Sequence, residues 1–325
     1  MNTRERINAV LNFKPVDRLP MIEWAAWWDK TIERWQSEGL PVSGGLEVMK
    51  YFGLDIHYQF WVSPRGSGFP PPPAHGKGVV SSIDDYMRMK KFLYPFPAFD
   101  EALMKERSKE QVRGDAALWF SLEGFFWFPR VLLGIENHLY SFYDDPELMH
   151  IINRDLAEYH EKVLDRIFSI CTPDFMTFAE DMSYNNGPML SQTQFDEFIK
   201  PYYLKLAARL RERGTKIIVD SDGDIEKLCN WYDGVVDGFL PLERQAGTDI
   251  GKLRAEHPGQ IYIGAFDKTV MHLGEEALRR EFERLLPVAR KGGFIMSCDH
   301  QTPPGVSLND YRLYLKLFRE YALYS

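Results

Sequence analysis

The sequence predicts an α/β fold, a TIM (β/α)8 barrel with an N-terminal helical extension. Three observations point there. Short apolar runs alternate with amphipathic helical stretches from residue 115 onward, the strand candidates number eight, and no glycine-rich phosphate loop follows an early strand. A strand–helix–strand rhythm argues for parallel pairing, because parallel strands need a crossover connection. Eight parallel strands is the number that closes such a barrel. An open doubly wound sheet is the structural rival, but the chain has neither a GxGxxG after a strand nor a GxxxxGK[ST] anywhere.

The elements follow in order. A first helix is expected over about residues 3 to 12, with Thr3 as N-cap. After Pro15-Val-Asp-Arg-Leu-Pro20, the apolar run Leu19–Trp24 reads as a buried strand, and a second strand is expected at Asp55–Val62. Residues 25–110 are otherwise less regular. Within them the loop at 66–76 carries four consecutive prolines and cannot hold a helix, since proline lacks the N–H and clashes with the preceding turn. A lid and a plain surface connection are the two readings of that loop. Further strands are expected at Leu118–Leu122, Phe175–Ala179, Lys216–Val219, Gly238–Leu242, Ile261–Ala265 and Gly293–Ser297. Helices are expected at Pro146–Ser169, Thr193–Arg213, Ile225–Tyr232, Glu275–Lys291 and Leu308–Tyr321. One barrel domain over 1–325 accounts for the whole chain, because α/β barrels commonly exceed 250 residues.

Composition bounds the function. A net charge of -8 argues against a nucleic-acid or membrane-surface role. No stretch approaches the roughly 18 consecutive apolar residues of a membrane helix. The basic N-terminus has no apolar segment after it and reads as an amphipathic helix rather than a signal peptide. Cys171, Cys229 and Cys298 form no CxxC pair, which fits free thiols in a reducing cytoplasm.

In a TIM barrel the residues just past each strand face the active site. Here five successive strands end in carboxylates. They are Glu180 and Asp181; Asp220, Asp222 and Asp224; Glu243; Asp267; and Asp299, followed by His300. Bland roles compete. Asp224 is placed to cap the helix at Ile225, Lys268 to neutralise Asp267, and Arg244 or another surface base to pair with Glu243. Convergence shifts the balance, since like charges brought together need a cation or protons. Asp220 and Asp222 lie on one side of an extended chain and, with His300, make an Asp/Asp/His set for zinc or another divalent metal such as manganese or iron. An EF-hand is excluded, because Ile225 stands where its glycine and Trp231 where its glutamate belong. Cys298 and Asp299 point opposite ways on a strand, which argues against a Cys298 nucleophile.

At these residues the chain resembles the uroporphyrinogen decarboxylase superfamily over nearly its whole length. The resemblance runs through Thr3-Arg-Glu-Arg-Ile-Asn, Pro15-Val-Asp-Arg-Leu-Pro, Glu180-Asp-Met-Ser-Tyr, Asp220-Ser-Asp-Gly-Asp, Val236-Asp-Gly-Phe-Leu-Pro-Leu-Glu, Gly292-Gly-Phe-Ile and Asp299-His-Gln-Thr-Pro-Pro. It implies either cofactor-free decarboxylation of uroporphyrinogen or zinc-dependent methyl transfer involving corrinoid proteins. The decarboxylases carry an arginine-rich segment after the first strand, whereas Glu23-Trp-Ala-Ala-Trp-Trp-Asp29 here has no arginine. The methyltransferase branch is therefore the nearer resemblance. Its thiol-methylating members bind zinc through His-x-Cys and a later Cys, positions that fall on Asp220, Asp222 and His300. This harder donor set directs the metal to an oxygen rather than a sulfur.

The resemblance thus implies a methyltransferase that acts on a methoxylated or similar small substrate with a corrinoid-binding protein as partner; the sequence leaves a homodimer open. Glu180, Asp181, Asp267 and Asp299 are the candidate proton donors or orienting groups, and Trp24, Trp27, Phe125, Phe126, Tyr184 and Glu243 the candidate substrate contacts. The alternatives are a metal-assisted lyase, hydrolase or decarboxylase for a small organic acid, and a non-catalytic binding protein on the same barrel.

Overall fold

A computed structural model of the chain describes residues 1–323; the last two residues of the expected domain lie outside the described residues. Its strands are β1 (Ile56–Val62), β2 (Ala116–Glu123), β3 (Phe175–Ala179), β4 (Ser183–Tyr184), β5 (Gly187–Pro188), β6 (Lys216–Asp220), β7 (Gly238–Leu240), β8 (Ile261–Phe266) and β9 (Phe294–Cys298). Seven of them form one curled sheet in the order β1-β2-β3-β6-β7-β8-β9, parallel throughout. The antiparallel pair β4–β5 is a small hairpin above it, turned by Asn185-Asn186.

The expected strand Leu19–Trp24 corrects to an extended segment without a ladder. It still fills the eighth position. On the β1 side the Asp55 N–H donates to Met21 O (2.8 Å) and the His57 Nε2 faces Glu23 O (3.1 Å). On the β9 side Trp24 donates through its backbone to Ser297 Oγ (3.3 Å) and through Nε1 to Cys298 O (3.0 Å). Proline at position 20 has no N–H, and the Met21 N–H is taken by the Asp55 carboxylate (2.8 Å), so no regular ladder can form. Side chains replace it. Asp55 is 4% exposed and accepts from Arg6 (3.0 Å) and from both Arg18 terminal nitrogens (2.7 and 2.8 Å). Trp119 Nε1–H donates to His57 Nδ1 (3.0 Å), which leaves the proton of the neutral ring on Nε2, facing Glu23 O.

Alternating strand positions divide the core in two. Ala117, Trp119, Phe175, Ile218, Leu240, Ile263 and Ile295 fill the barrel interior, and Ile7, Val10 and Leu11 of the Thr3–Leu11 helix plug its N-terminal end. The residues between them, such as Leu118, Phe120, Phe178, Val219 and Met296, pack outward against the helices. Above the apolar interior lies a polar layer. Gln59 donates to Ser121 Oγ (2.9 Å), and the Ser121 and Thr177 hydroxyls are 2.7 Å apart.

Several boundaries shift for local reasons. Asn2, not Thr3, caps the first helix by accepting the Glu5 N–H (2.8 Å), while the Thr3 hydroxyl donates to Asp55. The expected helix Thr193–Arg213 is two, Gln192–Phe198 and Lys200–Glu212, because Pro201 cannot continue the hydrogen-bond series. β7 ends at Leu240, as Pro241 has no ladder donor. Between residues 25 and 110 the irregular stretch contains helices Asp29–Ser37, Gly45–Phe52, Ile83–Met89 and Glu101–Arg113. The proline loop is tied at both ends, by the Gly66 N–H to Phe92 O (2.8 Å) and the Ile135 N–H to Gly76 O (2.9 Å), and residues 71–75 are exposed.

Candidate metal and active site

Three carboxylates meet at the C-terminal mouth. One ligand oxygen each from Asp181, Asp220 and Asp222 lies within 4.8 Å of the others, and all three side chains are half-buried. Asp220 is the last residue of β6, on the same face as Ile218, and Asp222 follows two residues on. Asp181 reaches them from the end of β3, where it adopts φ +40, a left-handed conformation that aspartate tolerates better than most residues. The Asp222 N–H donates to Asp181 Oδ1 (3.2 Å). Gly223, at φ +86, lets the hairpin close down on this loop; a Cβ there would sit 2.7 Å from the Ser183 carbonyl carbon.

Burial and crowding shape the charge. Burial, then the neighbouring Asp181, pushes the Asp222 carboxyl up to about 7. Burial raises Asp220 well above the carboxylate range, with Asp181 and Asp222 adding to it. Burial also raises Asp181, partly countered by the Asp222 N–H and by Arg130. Three such oxygens need protons or a cation to coexist, and an all-carboxylate set suits a hard divalent ion. The residues therefore fit a divalent metal.

His300 stands beside this cluster, with Nε2 3.9 Å from Asp222 Oδ2. Its Nδ1 accepts the Gln301 N–H (2.8 Å), so the neutral ring keeps its proton on Nε2, facing the carboxylate as a donor. Burial holds the imidazole below its ordinary pKa. Asp181 thus brings a third carboxylate to the expected pair Asp220 and Asp222, with His300 beside them. Trp24 packs edge-on against His300, ring centroids 6.1 Å apart.

The other sequence-derived residues divide clearly. Glu243 Oε1 accepts from Lys268 Nζ (3.0 Å) and its Oε2 from the Gly223 N–H (3.2 Å), which holds it beside the cluster. Asp299 is fully buried, takes the Lys268 and Arg244 N–H groups (3.3 Å each), and is pushed up to about 7 by burial. The expected pairing of Lys268 with Asp267 is corrected, and of the two readings for Glu243, Arg244 or another base, the partner is another base, Lys268. Lys268 turns to Glu243 and Asp299, while Asp267 caps its own turn by accepting the Thr269 N–H (2.8 Å). Asp224 accepts the Glu226 N–H (3.0 Å), as a helix start requires.

Glu180 faces away from the mouth. It is fully buried and accepts the N–H groups of Phe125 (2.9 Å), Phe126 (2.8 Å) and Trp127 (3.0 Å) and the Tyr203 hydroxyl (2.6 Å). Phe125 and Phe126 are fully buried against the helices, and Trp27 packs at 6% exposure against Trp35 and Tyr311. Tyr184 is half exposed on the hairpin, and Trp28, which sequence reasoning passed over, is 48% exposed beside His300 and Lys268. Cys298 turns outward against Met271, Sγ to Sδ 3.7 Å, as the strand alternation requires.

Sequence reasoning also passed over Glu123 and Arg65. Glu123 ends β2 on the interior face of Trp119 and Ser121, so the rule that singled out the other strand ends applies to it equally. Arg65 Nη2 donates to Glu123 Oε1 across 2.8 Å.

A parallel barrel with acidic strand ends at its C-terminal mouth has the architecture of the TIM-barrel enzymes. The model of uroporphyrinogen decarboxylase (URO-D) matches residues 104–321, and the chain belongs to that family. No curated protein matches it. Among solved structures, a methyltransferase from Methanosarcina mazei superposes with a TM-score of 0.69 at 13% identity, covering 99% of each chain. A B12-independent methionine synthase from Shewanella sp. gives 0.40 at 12% identity, covering 95% of this chain and 93% of that one. A Bacillus subtilis mannanase gives 0.48 at 11% identity, covering 96% and 88%. At these identities the first of these likenesses is one of fold.

Proposed function

We propose that the protein is a metal-dependent methyltransferase, a single-domain barrel that moves a methyl group between a small oxygen-bearing substrate and a corrinoid carried by a partner protein. The observation that carries this reading is the convergence of Asp181, Asp220 and Asp222 within 4.8 Å at the barrel mouth. The likeness to a methyltransferase over the full chain supports it. Asp181, Asp220 and Asp222 would hold a divalent cation, manganese, iron or zinc, which when bound would supply Lewis acidity toward an ether or phenolate oxygen.

The chain's own residues do the rest. His300 presents its Nε2–H beside the carboxylates, 30% exposed, and as a neutral ring can donate a hydrogen bond to the charge that grows on a departing oxygen. Lys268, lifted by Asp299 and Glu243 against the pull of burial, stays charged and limits the negative field. Trp24 fixes the His300 ring edge-on. Trp28 and Tyr184, half exposed at the rim, offer aromatic surface to a flat substrate or to the corrinoid protein. Decarboxylation of uroporphyrinogen is disfavoured, because the Glu23–Asp29 segment supplies no arginine and buries Glu23 and Trp27.

A second reading has its own observation. Asp222 and Asp299 are both pushed up to about 7, where a carboxyl can serve as acid or base, so a lyase or decarboxylase for a small organic acid fits the same mouth without a metal. The deciding experiment mixes the metal-loaded protein with reduced cobalamin and methoxybenzoates and follows methylcobalamin by absorbance. Metal-dependent methylation that Asp222→Ala abolishes supports methyl transfer. Equal rates with and without metal and protein contradict it.

A further inference from the structure

The mouth has a second side. Glu123 on β2 pairs in register with Ala179 on β3, and Ala179 with Asp220 on β6. All three lie on the inward-facing positions of their strands. At a strand spacing of about 4.8 Å, Glu123 and Asp220 flank a gap of about 10 Å between their Cα atoms, floored by the small Ala179 side chain. Below that floor runs the hydrogen-bonded layer of Gln59, Ser121 and Thr177.

The far side of this gap holds an unusual pair. Glu123 is fully buried, and its Oε1 accepts from Arg65 Nη2 (2.8 Å) and Ser63 Oγ (3.1 Å). The Arg65 backbone N–H is fixed on the same Ser63 hydroxyl (3.2 Å). The guanidinium makes that one hydrogen bond among the described residues. Its Nε is buried without a partner, as is Glu123 Oε2. An arginine has five donors in a planar fork. Leaving a buried donor unmet is costly unless something else meets it. The Arg65 side chain is 35% exposed, so part of the fork stays open to solvent. The other cations named around the mouth are engaged: Lys268 with Glu243 and Asp299, Arg244 with Asp249, and Arg130 with the Asp181 carbonyl. A guanidinium with free donors here is matched to a planar anion, which it can take bidentately.

We infer that Arg65 anchors a carboxylate of the small substrate, with Glu123 and Ser63 holding the guanidinium in place, while the group that reacts lies across Ala179 at the three aspartates. The methyl donor or acceptor is then a small carboxylic acid, bound with its acid end at β1–β2 and its reacting end at β3–β6. This assignment rests on reading the mouth as the substrate site, and not on the metal.

The test titrates benzoate, with benzamide as its uncharged counterpart, into the full-length protein by calorimetry, with and without manganese. Wild-type protein is expected to bind benzoate saturably in the millimolar range and roughly tenfold tighter than benzamide, the share of a charge-assisted pair. Arg65→Met removes that preference and leaves benzamide binding in place, and Arg65→Lys keeps part of it. Glu123→Gln strengthens benzoate binding, because the competing charge on the guanidinium is gone; a merely structural arginine would give no such gain. The double variant Arg65→Met, Glu123→Gln leaves no buried carboxylate unpaired and serves if Arg65→Met alone does not fold. Absence of saturable benzoate binding, equal binding of both probes, or a preference that survives loss of Arg65 overturns the assignment. Metal content of the same samples separates the two readings. A protein without metal that keeps an Arg65-dependent preference sinks the methyltransferase proposal alone, and a metal-bound protein without the preference sinks this one alone.

Discussion

The backbone N–H of Asp222 donates to the carboxylate of Asp181 across 3.2 Å, tying the loop after β6 to the loop after β3. The bond orients Asp181 toward Asp220 and Asp222 and makes the acidic site a product of two strand ends. His300, from a third strand end, approaches within 3.9 Å of Asp222 but keeps its Nδ1 on the Gln301 N–H.

His300 should therefore act as a hydrogen-bond donor more than as a metal ligand. His300→Gln is expected to lower metal affinity less than tenfold while lowering the methyl-transfer rate by a factor on the order of 10² or more, the usual share of a hydrogen-bond donor placed at a developing oxyanion. Metal titration and turnover on the same preparation check the split. A loss of metal as large as that of Asp222→Ala would make His300 a ligand after all.

Asp222 should make stability depend on pH. Burial raises its folded-state pKa from 3.8 to about 7. A carboxyl raised on folding contributes stability that is fully present below about pH 4 and is lost as pH rises through about 7. Asp222→Asn stays neutral, so without metal the variant should gain on the wild type steadily between those values. The side chain is 41% exposed, so screening reduces the effect to about 1 kcal/mol. Thermal melts across that range read it. A constant difference would show that Asp222 is not shifted, and added manganese should reverse the trend.

Glu180 should matter for folding rather than for the metal. It satisfies three successive N–H groups at the start of the Trp127–Leu133 helix and the Tyr203 hydroxyl. Glu180→Ala leaves these buried donors unmet, at a cost of about 3 kcal/mol. Metal affinity should stay within about threefold. Gly124→Ala should act the same way, because its Cβ would sit 2.1 Å from the Glu180 carboxyl carbon. Denaturant melts with metal titration check both variants.

Asp55 should be another sensitive position outside the mouth. It joins Arg6, Arg18 and the Met21 N–H in a buried cluster that stands in for the missing eighth ladder. Asp55→Ala takes the carboxylate from Arg18 and from one terminal nitrogen of Arg6, which keeps Asp17, and leaves the Met21 N–H unmet, at a cost of about 3 kcal/mol. Hydrogen exchange should then show the 19–24 segment opening first.

The strand ends were legible because alternation and crossover length reveal parallel strands, and a barrel puts the next residues into its mouth. Asp220 and Asp222 came from that rule alone. Glu123 follows its run at Leu122 as directly as Asp220 follows Val219, so the same rule reaches it and the omission has no physical ground. The segment 19–24 read as a strand because its apolar pattern is that of one; the donor that Pro20 lacks and the Met21 N–H that Asp55 takes account for the missing ladder. Glu180 and Asp181 looked alike in sequence. What separates them is the left-handed turn at Asp181, which sends one carboxylate to the mouth and its neighbour to a helix N-terminus. Phe125, Phe126 and Trp27 read equally as pocket or core, and nothing in their spacing decides between the two.

The most direct test of the central claim is a manganese and zinc titration of metal-free protein, run beside Asp181→Ala and Asp222→Ala. The account predicts one divalent ion per chain for the wild type, with proton release as the raised carboxyls ionise, and a loss of affinity of at least tenfold in each variant. No saturable binding to the wild type, or binding that both variants retain, would contradict it.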